Sequence, residues 1–283
     1  MAKSINQDSR IGVSIVIPTF NRAHFLPETI ESCLNQTIPC EIIVCDHGST
    51  DGTSELMLKY EGRVNYIRRE VDFGPHYCWL EGILNSSNNL IHLQFDDDWI
   101  DPLFIEKCIN VYSDEVAFIF SGATVVNNEE GTSQPLQYKN WYSTGIHRIG
   151  KVQRKILAGH LISPAACLFR KKDLLTSIYQ GEIPLARTSY RGVGPDILFS
   201  LIPLLKYKYV GVVSEDLAYF RAHNESISID SLKDKTNKLS KAYIDARIFY
   251  FALSLFNKLL LYNIIRVYLA ILRRLDYIFS TKN

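Results

Sequence analysis

Leu90-Ile91-His92-Leu93-Gln94-Phe95-Asp96-Asp97-Asp98-Trp99-Ile100-Asp101-Pro102 runs from a largely apolar stretch into three consecutive carboxylates and then an Asp-Pro pair that opens a helix. A short apolar run closed by polar punctuation reads as a buried strand. Three adjacent carboxylates repel one another, so an acidic turn at the end of such a strand calls for a cation, hydrogen-bonded partners or open water. A divalent ion answers that need most economically.

Working outward, the same rhythm repeats. Ile11 to Ile17, Glu41 to Cys45, Val64 to Ile67, Leu90 to Phe95 and Val116 to Phe120 read as strands. Between them Phe25 to Gln36, Thr53 to Tyr60, His76 to Asn85 and Pro102 to Tyr112 carry helical spacing. Alternation of this kind predicts an α/β fold, a mostly parallel central sheet flanked by helices. Ligands of such sheets bind beyond the carboxyl ends of the strands, so the loops that follow strands carry the function. From Gly122 to Gly150 the pattern weakens into mixed polar and aromatic residues (Tyr138, Trp141, Tyr142), read as a loop shaped around a substrate. Further on, a helix at Lys151 to Ala158, a strand at Ala165 to Phe169, a helix at Pro195 to Leu205 and strands at Tyr209 to Val213 and Leu217 to Phe220 are expected. After Ile229 the chain reads as helix only. The expected division is a catalytic domain over 1–228 and a basic, amphipathic helical extension over 229–283.

Bulk composition narrows the classes. With 283 residues, 47% of them hydrophobic, the chain can bury a large core and is not disordered. A formal charge of +1 gives no general reason to expect nucleic acid as partner. The charge is uneven, because from Lys233 onward ten Lys or Arg stand against three Asp or Glu. The six cysteines contain no C-x-x-C pair and read as small buried hydrophobes of a reducing compartment. Met1 to Arg10 lacks a signal-peptide core, so a cytoplasmic location is the expectation.

Four loops supply the candidate residues. Pro18 ends the first strand and is followed by Thr19, Phe20, Asn21 and Arg22, whose hydroxyl, amide and guanidinium suit a polar ligand, although an ordinary strand-to-helix loop has the same look. Asp46 ends the second strand where a carboxylate can accept from a base imide or a ribose hydroxyl, while Asp51 or Thr53 caps the next helix. The triplet Asp96 to Asp98 suits Mg²⁺ or Mn²⁺, which take oxygen ligands, keep waters and share substrate phosphates. Asp196 at a helix start is either a helix-end charge or a catalytic group, and Arg221 with His223 suits phosphate or metal.

In order along the chain, IPTFNR, VCDHGSTDGT, GPHYCWLEGI, FDDDW followed by a proline, GPD and YFRAHNES resemble the inverting family 2 glycosyltransferases of GT-A fold, a Rossmann-like architecture, over roughly Val13 to Ser228. The resemblance implies transfer of a sugar from a nucleotide-diphospho-sugar, UDP by default, to a hydroxyl of a glycan acceptor. It places Thr19, Asn21 and Asp46 near the nucleotide, with Asp96 facing ribose or diphosphate. Asp97 then matches the principal metal ligand, beside Asp98, and Asp196 the general base. Arg221 and His223 resemble the element that closes over the diphosphate, with His223 as a further ligand. Two departures bear on the donor: His47 stands where many relatives carry a second Asp, and Leu80-Glu81-Gly82 where many carry Asn-x-Gly. Gly74, Pro75, Trp79 and Leu80 resemble a subgroup common in bacterial surface-polysaccharide assembly, which implies O-antigen or capsule synthesis on a lipid-linked oligosaccharide.

Two other classes stay open on the sequence. An aspartate-type phosphatase also carries F-D-x-D after a strand, although normally the first strand, and a degenerate transferase would hold nucleotide without turnover. The tail, rich in Leu, Ile, Phe and Tyr but broken by Arg and Lys, reads either as a helix in the inner-membrane interface or as a helical pair packed on the protein or on a second copy in a homo-oligomer.

Overall fold

The computed structural model describes residues 11–127, 131–136, 141–179, 183, 184, 186, 195–223, 238–258 and 261–280. Readings that fall on Met1 to Arg10, Tyr138, Gly194, Asn224 to Ser228, Lys233 and the 228/229 boundary lie outside those residues.

Strands β1 (Val13–Thr19), β2 (Glu41–Asp46), β3 (Asn65–Arg68) and β4 (Leu90–Leu93) are parallel and lie in the order β3-β2-β1-β4. Helices α1 (Leu26–Leu34), α2 (Thr53–Met57) and α3 (Pro75–Asn85) connect them. Every residue from Val13 to Ile17 is buried, which is why that run is apolar but for Ser14, whose hydroxyl bonds Glu41: both of its faces are covered. Helix α3 lies directly on β1 and β2. At Gly82 an added Cβ would come 2.3 Å from Val16 and 3.0 Å from the Cys45 sulfur, so the close approach demands glycine there.

Beyond β4 the chain departs from the parallel expectation. The remaining strands are β5 (Trp99–Ile100), β6 (Val116–Asn127), β7 (Thr132–Pro135), β8 (Gly145–Arg148), β9 (Cys167–Arg170) and β10 (Tyr209–Arg221). The sheet runs β3-β2-β1-β4-β9-β6-β10-β5, with β7 added to β6 and β8 to β10. Strand β9 is antiparallel to both β4 and β6, and only β6 and β10 are parallel in this half. The sheet is therefore mixed, because chain that returns through β9 enters between two strands already placed.

Several boundaries differ from the sequence reading. The stretch 122–150 is not one loop: β6 continues to Asn127, and β7 and β8 follow among the described residues. The two late strands are a single β10 whose register to β6 slips between Val213 and Asp216 and again before Ala218. That bulge explains a glycine on the partner strand, since a Cβ at Gly122 would fall 2.4 Å from an Asp216 carboxylate oxygen. Helix α4 (Phe104–Val111) begins two residues after Pro102, and Asp101 accepts the Leu103 N–H at 2.8 Å. Helix α5 (Gly150–Leu157) is close to expectation, whereas α6 (Lys171–Ser177) goes unread because Lys-Lys-Asp begins it directly after a strand. Helix α7 (Pro195–Leu201) gives way to a 3-10 turn at Ile202–Leu205, as Pro203 cannot donate inside a longer helix.

Two helices form the tail, α8 (Lys238–Lys258) and α9 (Leu261–Ser280). Of the readings left open, packing on the protein holds for α8: Ala246, Phe249 and Tyr250 are buried, and Arg247 donates to the Ile156 carbonyl at 2.8 Å. Helix α9 differs. Ile264, Ile265, Val267, Tyr268, Leu269, Ile271, Leu272 and Leu275 are each 41 to 60% exposed. No helix among the described residues is long and apolar enough to cross a membrane.

Candidate active site

The site lies at the carboxyl ends of β1, β2 and β4, where three loops are tied to one another. Pro18 follows the last β1–β4 pair, Val16 with Leu93, so its missing N–H falls where that ladder has ended. Asn21 takes φ +54°, the left-handed region that Asn tolerates best among non-glycine residues. That turn lets its N–H donate to the Ser49 hydroxyl at 2.8 Å while its amide oxygen accepts the Thr50 N–H at 2.8 Å. The β2 loop is held further by Asp51, which accepts from Ala23 at 2.8 Å and from the Thr53 hydroxyl at 2.6 Å.

Asp46 is 1% exposed and already engaged on both oxygens. One accepts the Ser49 N–H at 2.8 Å, the other the Tyr66 hydroxyl at 2.6 Å, with the Arg68 guanidinium 3.6 Å away. Burial first, then this bond to Asp46, pushes the Tyr66 hydroxyl up to about 12, so it stays a donor. Tyr66 and Arg68 went unread, although pairing of Asp46 with Arg68 across β2 and β3 is the signal that finds the latter. His47, the departure from the common second Asp, has its Nδ1 3.2 Å from the carboxylate of Asp72, and its buried Nε2 has no partner among the described residues. A carboxylate thus reaches this loop from elsewhere in sequence.

The acidic turn is built from β4, α1 and β10. The Thr29 hydroxyl donates to the carbonyls of Asp96 and Asp98 at 3.0 and 2.8 Å, pinning the turn to α1. Short β5 pairs antiparallel with β10, Trp99 opposite Tyr219 with their rings stacked at 5.6 Å, which brings Arg221 and His223 alongside. Asp98 is buried and accepts the Arg221 N–H at 2.9 Å, so the structure uses this carboxylate to join β10 to the turn. The Arg221 side chain donates to the Asp97 carbonyl at 3.0 Å and to Glu28, and lies over Trp99 and Phe25 at 4.9 and 5.2 Å.

One oxygen of Asp97 gathers the rest. Arg22 Nη1 lies 3.1 Å from its Oδ2, His223 Nε2 lies 3.0 Å from the same atom, and those two nitrogens are 3.4 Å apart. Burial, then the charge of Asp97, pushes Asp96 up to about 7, and the same two causes raise Asp98. Arg22 and Arg221 do not offset the acidity of the turn, and added positive charge would be welcome there. Among the described residues no three His, Cys, Asp or Glu converge as a complete metal cage. An incomplete set nevertheless suits Mg²⁺ or Mn²⁺, which take few protein ligands and complete their shells with water and phosphate oxygens. Asp97 Oδ2 and His223 Nε2, at 3.0 Å, fit neighbouring positions around such an ion, with Arg22 beside them.

Asp196 belongs to another element, the first turn of α7. One oxygen accepts the Ile197 N–H at 2.8 Å and the other the Tyr243 hydroxyl at 3.2 Å. Tyr243 belongs to α8, 47 residues later, and local sequence gives no signal for it. Phe199, one turn after Asp196, meets Trp79 of α3 edge to face at 5.4 Å, so α7 packs against the helix that covers β1 and β2.

Known proteins resemble this chain in sequence and in fold. The glycosyl transferase family 2 model matches residues 14–175. An uncharacterized glycosyltransferase of Rickettsia bellii is 36% identical over 138 residues, 46% of this chain and 19% of that protein. A chondroitin synthase of Escherichia coli is 31% identical over 117 residues, 37% of this chain and 16% of the synthase. The matches thus take in about a fifth or less of those relatives' own length. Among solved structures, S. aureus TarS 1-349 in complex with UDP-GlcNAc superposes with a TM-score of 0.62 at 18% identity, covering 87% of this chain and 74% of that one. The mannosyltransferase PcManGT from Pyrobaculum calidifontis, in complex with GDP-Man and Mn²⁺, gives 0.54 at 12% identity over 85% and 73% of the two chains. Both likenesses concern the fold.

Proposed function

We propose that this chain, which belongs to glycosyl transferase family 2, is an inverting enzyme that moves a sugar from a nucleotide-diphospho-sugar, UDP by default, to a hydroxyl of a glycan. Membership of the family sets aside the phosphatase reading. The observation that carries the proposal is the meeting of three loops on Asp97, with Arg22 from the end of β1 and His223 from the end of β10 on the same oxygen.

In this reading the nucleotide lies over Pro18, Thr19, Asn21 and Asp46, with Asp46 chiefly shaping the loop through Ser49 and Tyr66. Asp96 faces the ribose or diphosphate. Asp97 and His223 hold Mn²⁺ or Mg²⁺, and Asp98 orders the turn behind them. A divalent ion there supplies positive charge to the leaving diphosphate as negative charge grows on it. Arg22 and Arg221 add charge of the same sign from the protein. Asp196 takes the proton of the acceptor hydroxyl as that oxygen attacks the anomeric carbon from the face opposite the nucleotide, and one displacement inverts the configuration. Bringing both sugars into one orientation supplies much of the remaining acceleration.

A panel of nucleoside diphosphates with and without Mn²⁺ tests the reading. A ligand at 100 times its Kd that binds only folded chain adds about 2.7 kcal/mol. For a domain of this size that is a rise in Tm of roughly 5 °C or more. We expect UDP with Mn²⁺ to give such a rise and UDP alone a smaller one. No response to any base in either condition defeats the proposal.

The acceptor in this reading is a lipid-linked oligosaccharide of surface-polysaccharide synthesis, met at the inner face of the cytoplasmic membrane. Support comes from α9, whose exposed apolar residues occupy one broad side while Arg266, Arg273 and Arg274 fall on the other. Full-length chain is expected to sediment with phosphatidylserine-containing vesicles. Replacing the three arginines by Gln should weaken that binding by at least tenfold, since each basic residue near an anionic surface contributes about 1 kcal/mol. Equal binding to neutral vesicles, or none to either, removes the membrane part and leaves the transferase part standing.

A further inference from the structure

Among the described residues, two ring nitrogens on α3 lack partners. Trp79 is 6% exposed and its Nε1 is buried without a hydrogen bond, and the same holds for Nε2 of His76 one turn earlier. Their rings meet edge to face at 5.5 Å, so both nitrogens belong to one patch. An indole N–H can only donate, and leaving it buried and unpaired is costly, so native structures rarely tolerate it without water or a ligand. Burial also holds His76 below the ordinary imidazole range, which keeps the ring neutral near pH 7.

The patch is placed by its neighbours. Cys78, adjacent to Trp79, donates its thiol to the Cys45 carbonyl at 2.9 Å, one residue before Asp46. On the other side Trp79 abuts Phe199, three residues beyond Asp196. The Trp79 segment is thus tied on one side to the end of β2 through Cys78 and on the other to α7, the helix that opens with Asp196. In a displacement reaction the transferred ring lies between the nucleotide and the base.

We propose that His76 and Trp79 read the transferred sugar, Trp79 Nε1–H donating to one ring-substituent oxygen and His76 Nε2 bonding a neighbouring one. The inference rests on the glycosyltransferase reading and adds a specificity-determining pair to it. Sugars that lack an oxygen at either position, or present it on the wrong side of the ring, leave a buried nitrogen unpaired and are rejected for that reason.

The test compares binding of nucleotides with and without sugar by full-length chain in Mn²⁺. Probes are UDP and GDP, and UDP-GlcNAc, UDP-glucose and GDP-mannose. Trp79→Phe keeps an aromatic ring against Phe199 and loses only the N–H; His76→Phe does the same for the imidazole. Each variant is expected to bind the nucleoside diphosphate within about twofold of wild type and the preferred sugar nucleotide about tenfold more weakly, in keeping with loss of one buried hydrogen bond. Variants that bind the sugar nucleotide as wild type does overturn the inference. So does an equal loss for the nucleoside diphosphate and its sugar conjugate, which would mark the pair as supports of the nucleotide loop. A wild-type chain that binds no nucleoside diphosphate of the wider panel described above overturns the glycosyltransferase reading, and this inference falls with it.

Discussion

Asp196→Asn is expected to lower kcat for sugar transfer by about 10² to 10⁴ while nucleotide affinity stays unchanged, because a positioned general base contributes an effect of that size. An amide of the same shape keeps the packing of α7 but cannot take the acceptor proton. The structure shows how the carboxylate is held: the Ile197 N–H fixes one oxygen and the Tyr243 hydroxyl the other. Burial first, then the charge of Asp196, raises the Tyr243 hydroxyl well above its ordinary value, so it remains a proton donor throughout the working range. A donor to an ionised carboxylate favours the charged form, and removing it favours protonation. Tyr243→Phe should therefore move the acid limb of the kcat profile to higher pH, with a smaller loss at the plateau than Asp196→Asn. Turnover of Asp196→Asn at near wild-type rate would remove the base assignment. An unmoved acid limb in Tyr243→Phe would leave the assignment and deny the tyrosine its part.

The role of Tyr243 also shows where sequence reading stops. Strands β1, β2 and β4 announce themselves because both of their faces are buried, and burial on both faces writes a mostly apolar run, in which Ser14 and His92 are buried polar exceptions. The loops at their ends are legible for a related reason. Thr19, Asn21, Asp46 and Asp96 to Asp98 follow those runs at once, and a strand that ends in polar side chains points them at the ligand face of an α/β sheet. Strands β7 and β8 are not legible: their residues are exposed or half-buried, so no hydrophobic pattern marks them. The antiparallel entry of β9 is equally hidden, because an apolar Cys-Leu-Phe run is written the same way in either direction. Long-range hydrogen bonds fare worst. His47 with Asp72, Thr29 with the acidic turn and Tyr243 with Asp196 join residues 25, 67 and 47 apart, and no local spacing encodes any of them. Three adjacent aspartates look equivalent in sequence, whereas the fold sets them in different surroundings: one Asp98 oxygen accepts the Arg221 N–H, and one Asp97 oxygen meets Arg22 and His223.

Asp97→Asn is the companion prediction, with turnover expected to fall by about 10² to 10³, the range seen when one group that stabilises transition-state charge is removed. Its signature should separate from that of Asp196→Asn at the binding step. Asp196 lies on α7 and is assigned to the acceptor hydroxyl, not to the nucleotide or the cation, so its variant should keep the full rise in Tm with UDP and Mn²⁺. Asp97 carries the only carboxylate oxygen, among the described residues, that Arg22 and His223 share, so its variant should keep at most the metal-independent part of that rise. Without ligand the direction reverses. The charge of Asp97 is the second cause that raises both Asp96 and Asp98, so neutralising it relieves repulsion inside the turn. The ligand-free Tm of Asp97→Asn should accordingly equal or exceed that of wild type at pH 7, although Arg22 loses its ion pair, since a partly exposed pair of this kind contributes at most about 1 kcal/mol. A variant that is less stable alone yet still responds to Mn²⁺ like wild type would place the cation elsewhere and make Asp97 a structural partner of Arg22. A variant that is equally or more stable, silent to Mn²⁺ and slow would mean that the acidic turn trades stability for charge binding, as its carboxylates and arginines suggest.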